Sequence, residues 1–160
     1  MHRAAPCRNV PVTFTLERKG VRMFEQEKEV VRRIRQRFPE AAERTDQWQI
    51  DRGWEKSELE DAPHLWVEAF ADRTTEAARA GEWIAVTQHT EFMAAEYSNG
   101  PEPVRKLVDS AYAENLLWNL EEPVKVVAWP HVSAVIRGLY ERMWGAPGSR
   151  ERPRSGRWTT

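Results

Sequence analysis

The chain has 160 residues, of which 41% are hydrophobic, and a formal net charge of −1, which suits one hydrophobic core and excludes two. No apolar run approaches the roughly 20 residues that cross a bilayer, and the N-terminus lacks the apolar stretch of a signal peptide. Cys7 is the single cysteine, which excludes an internal disulfide and a cysteine zinc cage, so we expect a protein of the reducing cytoplasm with no membrane span.

The first 22 residues show no sustained apolar period, and we expect a disordered or weakly ordered extension there. Val10–Leu16 could instead pair as a short edge strand around Pro11. Because Met23 opens the first clearly periodic segment, residues 1–22 could also be an upstream extension of the reading frame. An intact Met1 in mass spectrometry of the native protein would refute that hypothesis.

Two helices are predicted before the first long polar stretch. Apolar residues at helical spacing predict an amphipathic helix over 23–38. Pro39 breaks this helix and suits the first position of a second one, which runs toward Trp48 and ends before Gly53. The polar and acidic residues of 51–61 predict a loop or a frayed turn.

Three further helices are predicted in the middle of the chain. Pro63 suits the start of one that ends at Gly81. The next is predicted over 82–98, before an Asn-Gly-Pro sequence that stops it. Its predicted inward-facing residues are Trp83, Ile84, Val86, Phe92, Met93 and Tyr97. The clearest apolar stripe then predicts a helix over 102–120.

The last part of the chain is less regular. Val124–Val127 is compatible with a short strand or a connector, and we interpret it as a connector. Pro130 suits the start of a last helix that ends at Gly145, and the low hydrophobicity of 145–160 predicts a disordered basic tail. These elements predict an all-α fold, a compact bundle of five or six helices formed by residues 23–144.

Charges of the two signs are sorted along the chain. Residues 23–144 contain 23 acidic and 15 basic side chains, a net charge of −8, whereas 1–22 carry +4 and 145–160 carry +3. A negative field disfavours nonspecific binding to nucleic acid and speeds the encounter with a basic protein. Solubility explains the same charge equally well. Nucleic-acid association through the two basic tails is the least favoured alternative, because short basic tails are usually solvated.

The acidic segment 46–61 carries two tryptophans and few aliphatic residues that could bury them. Its predicted partner-binding residues are Trp48, Asp51, Trp54, Glu55, Glu58, Glu60 and Asp61. Aromatic anchors rimmed by carboxylates suit a partner whose apolar patch is ringed by Lys and Arg. A loop folded back over the core is an equally good interpretation, because tryptophan is rarely left fully exposed.

No residue pattern predicts catalysis, a metal or a cofactor. Glu114, next to Asn115, interrupts an apolar run, and we predict a structural role in which it hydrogen-bonds a helix N-terminus. The pair His89 and Glu91 lacks the later Pro-Cys-x-x-Cys that zinc deaminases require. Phosphate-binding glycine loops and nucleophile motifs are absent from the sequence. The alternative is a small enzyme or ligand-binding protein that uses Glu114, His89 and Glu91 in an interhelical pocket.

The segments 38–39, 63–72 and 104–120 follow one another in an order that resembles a family of small bacterial helical domains of uncharacterised function. The most telling stretch is Val108–Leu117, where small residues precede Glu-Asn-Leu, and the likeness covers 23–144. The resemblance implies an accessory or immunity-type protein of bacterial competition loci, without catalytic residues. Our leading hypothesis, based on the net charge of −8 and on the acidic segment with two tryptophans, is a non-enzymatic protein-binding module, such as an immunity protein or antitoxin that neutralises a basic toxin.

Overall fold

The computed structural model describes residues 24–149, and this part of the chain is helical without a strand. Its helices are α1 (Glu25–Arg37), α2 (Pro39–Ile50), α3 (Lys56–Leu59), α4 (Pro63–Arg79), α5 (Trp83–Asn99), α6 (Glu102–Leu107), α7 (Glu122–Ala128) and α8 (Ala134–Trp144). A π-helical segment, Val108–Ala113, continues α6, and a 3-10 turn, Trp129–His131, follows α7. The predicted all-α fold is confirmed. The predicted extension 1–22 and the tail from 150 onward lie outside the described residues.

The predicted number of five or six helices is too low, because two short helices lie where the sequence predicts a loop and a connector. In α3, a capping box satisfies the backbone of the first turn, and the Glu55 N–H donates to Glu58 Oε2 at 2.9 Å. In α7, Pro123 occupies the first turn, where a proline is tolerated. The following valines are helical despite their preference for strands, because that preference is weak and depends on context.

The helix predicted over 102–120 is interrupted. After the π-helical segment the chain turns, and Leu117 and Asn119 adopt left-handed backbone conformations with φ of 58° and 61°. The Leu117 N–H donates to Thr75 Oγ1 of α4 at 3.0 Å, which fixes the turn against the core. An apolar stripe continues through this turn, so the pattern of apolar residues cannot show where the α-helix ends.

Helix α4 is central to the bundle and packs against α1, α2, α5 and the π-helical segment. Its Trp66 and Phe70 are fully buried and stack on each other, with ring centroids 5.9 Å apart. Helix α5 presents Val86 and Met93 to the same core. The inward position predicted for Ile84 is wrong, since 77% of this residue is exposed. A helical step of about 100° from the half-buried Trp83 directs it to solvent.

No helix among residues 24–149 is both long enough and apolar enough to span a membrane.

Candidate functional site

The two tryptophans of the predicted partner-binding segment differ in their surroundings. Trp48 is half-buried in α2, and the guanidinium of Arg52 lies 3.4 Å from its ring centroid. The same guanidinium donates to the Trp48 carbonyl at 3.1 Å. Trp54 follows the helix and remains 38% exposed. One face of Trp48 is therefore covered by a cation of the same chain, through a cation–π contact, while Trp54 stays accessible.

The five carboxylates predicted in this segment are all exposed, and four of them have partners within the protein. Glu55 and Glu58 form the capping box of α3. Asp51 accepts a hydrogen bond from Gln47 at 2.7 Å, and Asp61 forms an ion pair with Lys28 of α1 at 2.7 Å. Glu60 is exposed without a partner among the described residues. The segment is thus an acidic surface, but much of its charge stabilises local structure.

The residues of the alternative enzyme hypothesis do not share one pocket. His89 is buried in the core, whereas Glu91, two residues further along α5, is exposed. Residues two positions apart on a helix do not face each other. Among residues 24–149, no group of three or more His, Cys, Asp or Glu side chains is placed to hold a metal ion.

His89 belongs to a buried chain of polar groups. Thr74 Oγ1 lies 3.1 Å from His89 Nδ1 and 2.9 Å from the hydroxyl oxygen of Tyr112, which lies on the π-helical segment. Burial and, to a smaller extent, the positive charge of Arg44 lower the pKa of His89 to about 4. The imidazole ring packs edge-on against Phe38, with centroids 4.6 Å apart. These contacts give His89 a neutral, structural role in the core at neutral pH.

A groove of about 720 Å³ lies at the opposite end of the sequence from the predicted segment. Its walls are the turn 114–118, α7, the end of α8 and the residues 145–149. Apolar side chains that line it are Leu116, Leu117, Trp118, Tyr140, Met143 and Trp144. We call it the tryptophan groove, because 56% of Trp118 and 46% of Trp144 are exposed there.

Hydrogen bonds hold the walls of the tryptophan groove together. Trp144 Nε1 donates to the backbone carbonyl of Glu114 at 3.1 Å, which joins α8 to the turn. The Gly148 N–H donates to Glu122 Oε1 at 2.6 Å, which joins the chain after α8 to α7. Gly145 and Gly148 have φ of 76° and 77°, a conformation that suits glycine. The bond to the Glu114 carbonyl positions the Trp144 indole at the groove rather than in the core.

Carboxylates lie at the rim of the groove. Glu114 and Glu122 line it, together with one cation, Lys125. Burial raises the pKa of Glu68 on α4, and although His64 opposes this, the negative charges of Glu114 and Asp72 raise it further. The electrostatic environment of Glu114 is therefore negative, and an incoming cation would relieve this repulsion.

Glu114 and Asn115 contribute to the structure through different groups. Asn115 Nδ2 donates to the Ala111 carbonyl at 2.9 Å and so stabilises the end of the π-helical segment. Glu114 acts through its backbone carbonyl, which accepts the Trp144 hydrogen bond. Its half-buried carboxylate is bound by no hydrogen-bond donor within residues 24–149, so the predicted bond to a helix N-terminus is not seen there.

A family model described as a domain of unknown function, DUF7674, matches residues 31–145. The chain belongs to the DUF7674 family. This match confirms the expectation that the chain belongs to a family of uncharacterised function. No curated protein and no solved structure matches the chain. The DUF7674 match includes the turn after the π-helical segment, α7 and α8, so the indoles of the groove lie within the family domain.

Sequence reasoning missed Trp118 and Trp144 as surface residues of this DUF7674 domain. Both follow apolar stripes that predict burial, and their exposure depends on where each stripe ends. For Trp144, the Gly145 that follows it gives a usable signal, because a residue in the last turn of a helix has fewer neighbours to cover it. For Trp118, the left-handed turn around it contains no glycine that would reveal it.

Proposed function

We propose that the domain is a non-enzymatic protein-binding module, and that a basic protein binds at the tryptophan groove. The observation that carries this proposal is the exposure of Trp118 and Trp144 at one concave surface that the carboxylates of Glu114 and Glu122 also line. Tryptophan is the residue most enriched among those that contribute binding energy at protein interfaces. An acidic rim around such anchors selects a positively charged partner.

The charge of the whole domain supports a basic partner. Residues 24–149 contain eight more acidic than basic side chains. A field of that sign raises the rate at which a basic protein finds the surface, and the effect weakens as salt screens the charges. We propose, as the specific role, an immunity protein or antitoxin that covers a basic toxin such as a nuclease. The negative charge and the concave apolar surface support that role.

The test begins with the protein encoded beside this chain, purified and mixed with it. We expect a complex whose dissociation constant rises at least tenfold in the double variant Trp118→Ala, Trp144→Ala, mainly through faster dissociation. The matched control is Ile84→Ala, which removes an exposed apolar side chain on α5 and should leave the dissociation constant unchanged. A complex that tolerates the double variant would contradict binding at the groove.

The predicted segment 46–61 is tested in the same assay. Charge reversal of Glu55, Glu58 and Asp61 should slow association at low salt by roughly tenfold if this acidic surface steers the partner. Because Glu55 and Glu58 also cap α3, the thermal stability of the variant must be measured first. Association that is unchanged in low salt would exclude this segment, while the groove variants would still report on the groove.

Binding of a small ligand is the second candidate function, and the volume of the groove favours it. Ligand pockets typically measure about 300–1,000 Å³, and the groove measures about 720 Å³. Its aromatic walls and the carboxylates of Glu114 and Glu122 suit an amphipathic amine. A panel of such amines should raise the melting temperature of the native chain, but not of the Trp118→Ala, Trp144→Ala variant. No shift with any member of the panel would exclude this chemical class.

A further inference from the structure

We propose that the chain's own segment 150–160 docks in the tryptophan groove when no other partner is bound. This inference uses the same groove as the proposed function, but its test needs no partner. The two can therefore fail separately. The inference depends on where the chain leaves the described structure, on charge and on the aromatic residue that the segment carries.

The described chain ends at the groove itself. After α8, residues 145–149 turn back and form one wall, next to α7. The Gly148 N–H is bound to Glu122 Oε1, and a Cβ atom at Gly148 would lie 3.1 Å from Val126 Cγ2. The following segment therefore begins in contact with the groove. Its eleven residues can extend to at most about 40 Å, so the segment has ample length to cover a surface that it already touches.

The charges of the segment and of the groove have opposite signs. The segment, RERPRSGRWTT, contains four arginines and one glutamate. Glu114 and Glu122 line the groove, and Glu68 carries a raised pKa for which burial is the main cause and repulsion from Glu114 a further one. Tethering raises the effective concentration of such a segment to the millimolar range, so weak contacts suffice to hold it.

The same contact between arginine and tryptophan already occurs within residues 24–149. Arg52 stacks on Trp48 with its guanidinium carbon 3.4 Å from the ring centroid, and Arg35 lies 4.9 Å from the centroid of Trp66. Arginines of the segment can cover the exposed faces of Trp118 and Trp144 in the same way. Trp158 adds an apolar side chain that can enter the groove between them.

The experiment places a nitroxide spin label on the full chain. Cys7→Ser removes the native thiol and Thr159→Cys supplies the labelling site, next to Trp158. We expect selective broadening of the NMR signals of the Trp118 and Trp144 side-chain N–H groups and of the residues 145–149. Reduction of the label should restore these signals, and 0.5 M salt should weaken the effect strongly. Broadening spread evenly over the domain, or confined to another surface, would overturn the proposal.

Two controls separate the alternatives. In the variant Glu114→Gln, Glu122→Gln, which keeps an acceptor for the Gly148 N–H, the broadening should fall several-fold while the core signals stay unchanged. A mixture of isotope-labelled chains without nitroxide and unlabelled chains with nitroxide tests for exchange between copies. Broadening that appears in this mixture at full strength would overturn docking within one chain and indicate a second copy as the occupant.

Discussion

Trp66 donates its indole N–H to Asp46 Oδ1 at 2.7 Å, and this bond ties a residue of the acidic segment to the centre of the core. The Arg35 side chain donates to the same carboxylate at 2.8 Å and also lies over the Trp66 ring. Burial alone would raise the pKa of Asp46, but the hydrogen bonds from Arg35 and Trp66 outweigh it and hold the pKa below its usual value. Asp46 therefore stabilises the fold and is not available to a partner.

Asp46→Asn should lower the free energy of unfolding at pH 7 by about 2 kcal/mol, because it replaces a charged acceptor of three hydrogen bonds, two from Arg35 and one from Trp66, by a neutral side chain. The folded-state pKa lies below the unfolded value of about 3.9, so the contribution of the carboxylate is complete above about pH 5. It is lost as the pH falls through the lower, folded-state pKa. Urea unfolding at several pH values measures this difference.

Asp51→Asn is the matched control for that experiment, since Asp51 is exposed and accepts one bond from Gln47. It should change the unfolding free energy by less than about 0.5 kcal/mol. A loss in Asp46→Asn that is no larger than in Asp51→Asn would contradict the role assigned to the Trp66 bond.

His89 should make the fold sensitive to mild acid. Its pKa is lowered to about 4 by burial, whereas an unfolded histidine has a pKa of about 6.5. Between these values the unfolded chain takes up a proton that the folded chain cannot, so stability present above about pH 6.5 is lost as the pH falls. From pH 7 to pH 5 this contribution amounts to about 2 kcal/mol. In His89→Phe, the free energy of unfolding, measured with urea, should depend less on pH. An equal pH dependence in both proteins would exclude protonation of His89 as the cause.

Loss of the Thr74 hydroxyl should destabilise the fold more than loss of the Tyr112 hydroxyl. Thr74→Val keeps the shape of the side chain and leaves both His89 and Tyr112 without this partner, at a cost of about 2–3 kcal/mol. Tyr112→Phe leaves Thr74 with the imidazole and should cost about 1 kcal/mol. Thermal unfolding of both variants at pH 7 ranks them. The reverse order would show that the hydroxyl of Tyr112 has another essential partner.

Replacing two of the glycines by alanine should change the stability of the fold in opposite directions. At Gly100, between α5 and α6, a Cβ atom would lie 2.5 Å from the Glu96 carbonyl oxygen and 2.6 Å from Val104 Cγ1. Gly100→Ala should therefore destabilise by about 2 kcal/mol. At Gly138 in α8, no heavy atom outside the adjacent helix backbone and the two neighbouring residues lies within 4 Å of the added Cβ, and Gly138→Ala should stabilise by roughly 0.5–1 kcal/mol. Differential scanning calorimetry measures the melting temperature of both variants. A shift in the same direction for both would contradict the close contacts at Gly100 or the open space at Gly138.

The sequence predicts the four long helices before residue 100 well, because their limits depend on local signals. Pro39 and Pro63 each occupy the first turn of a helix, as expected from their missing N–H and restricted φ. The two short helices are missed because they depend on contacts with the core and not on local signals. Their sequences, one polar and one rich in valine, favour other structures locally, and contacts of Leu59 and Ala128 with the core decide the outcome.

The groove could not be predicted from local signals at all. A leucine at positive φ is uncommon, and Leu117 is held there by the Thr75 hydroxyl, which lies 42 residues earlier in the chain. The hydrogen bond from Trp144 to the Glu114 carbonyl joins two residues that are 30 positions apart. Periodicity describes one helix face at a time. It therefore carries no information on which helix ends will meet.

The π-helical segment Val108–Ala113 makes the geometry of the groove depend on chain length. Its wider rings, such as the one closed by the Glu114 N–H and the Asp109 carbonyl at 3.1 Å, hold one residue more than an α-helical turn. Deleting one residue there would return the segment to α-helix and rotate the turn after it by about 100°. Trp118 would then leave the wall of the groove that Trp144 also lines. A relative that is one residue shorter in this segment would keep the core of the bundle but lack a groove lined by both tryptophans.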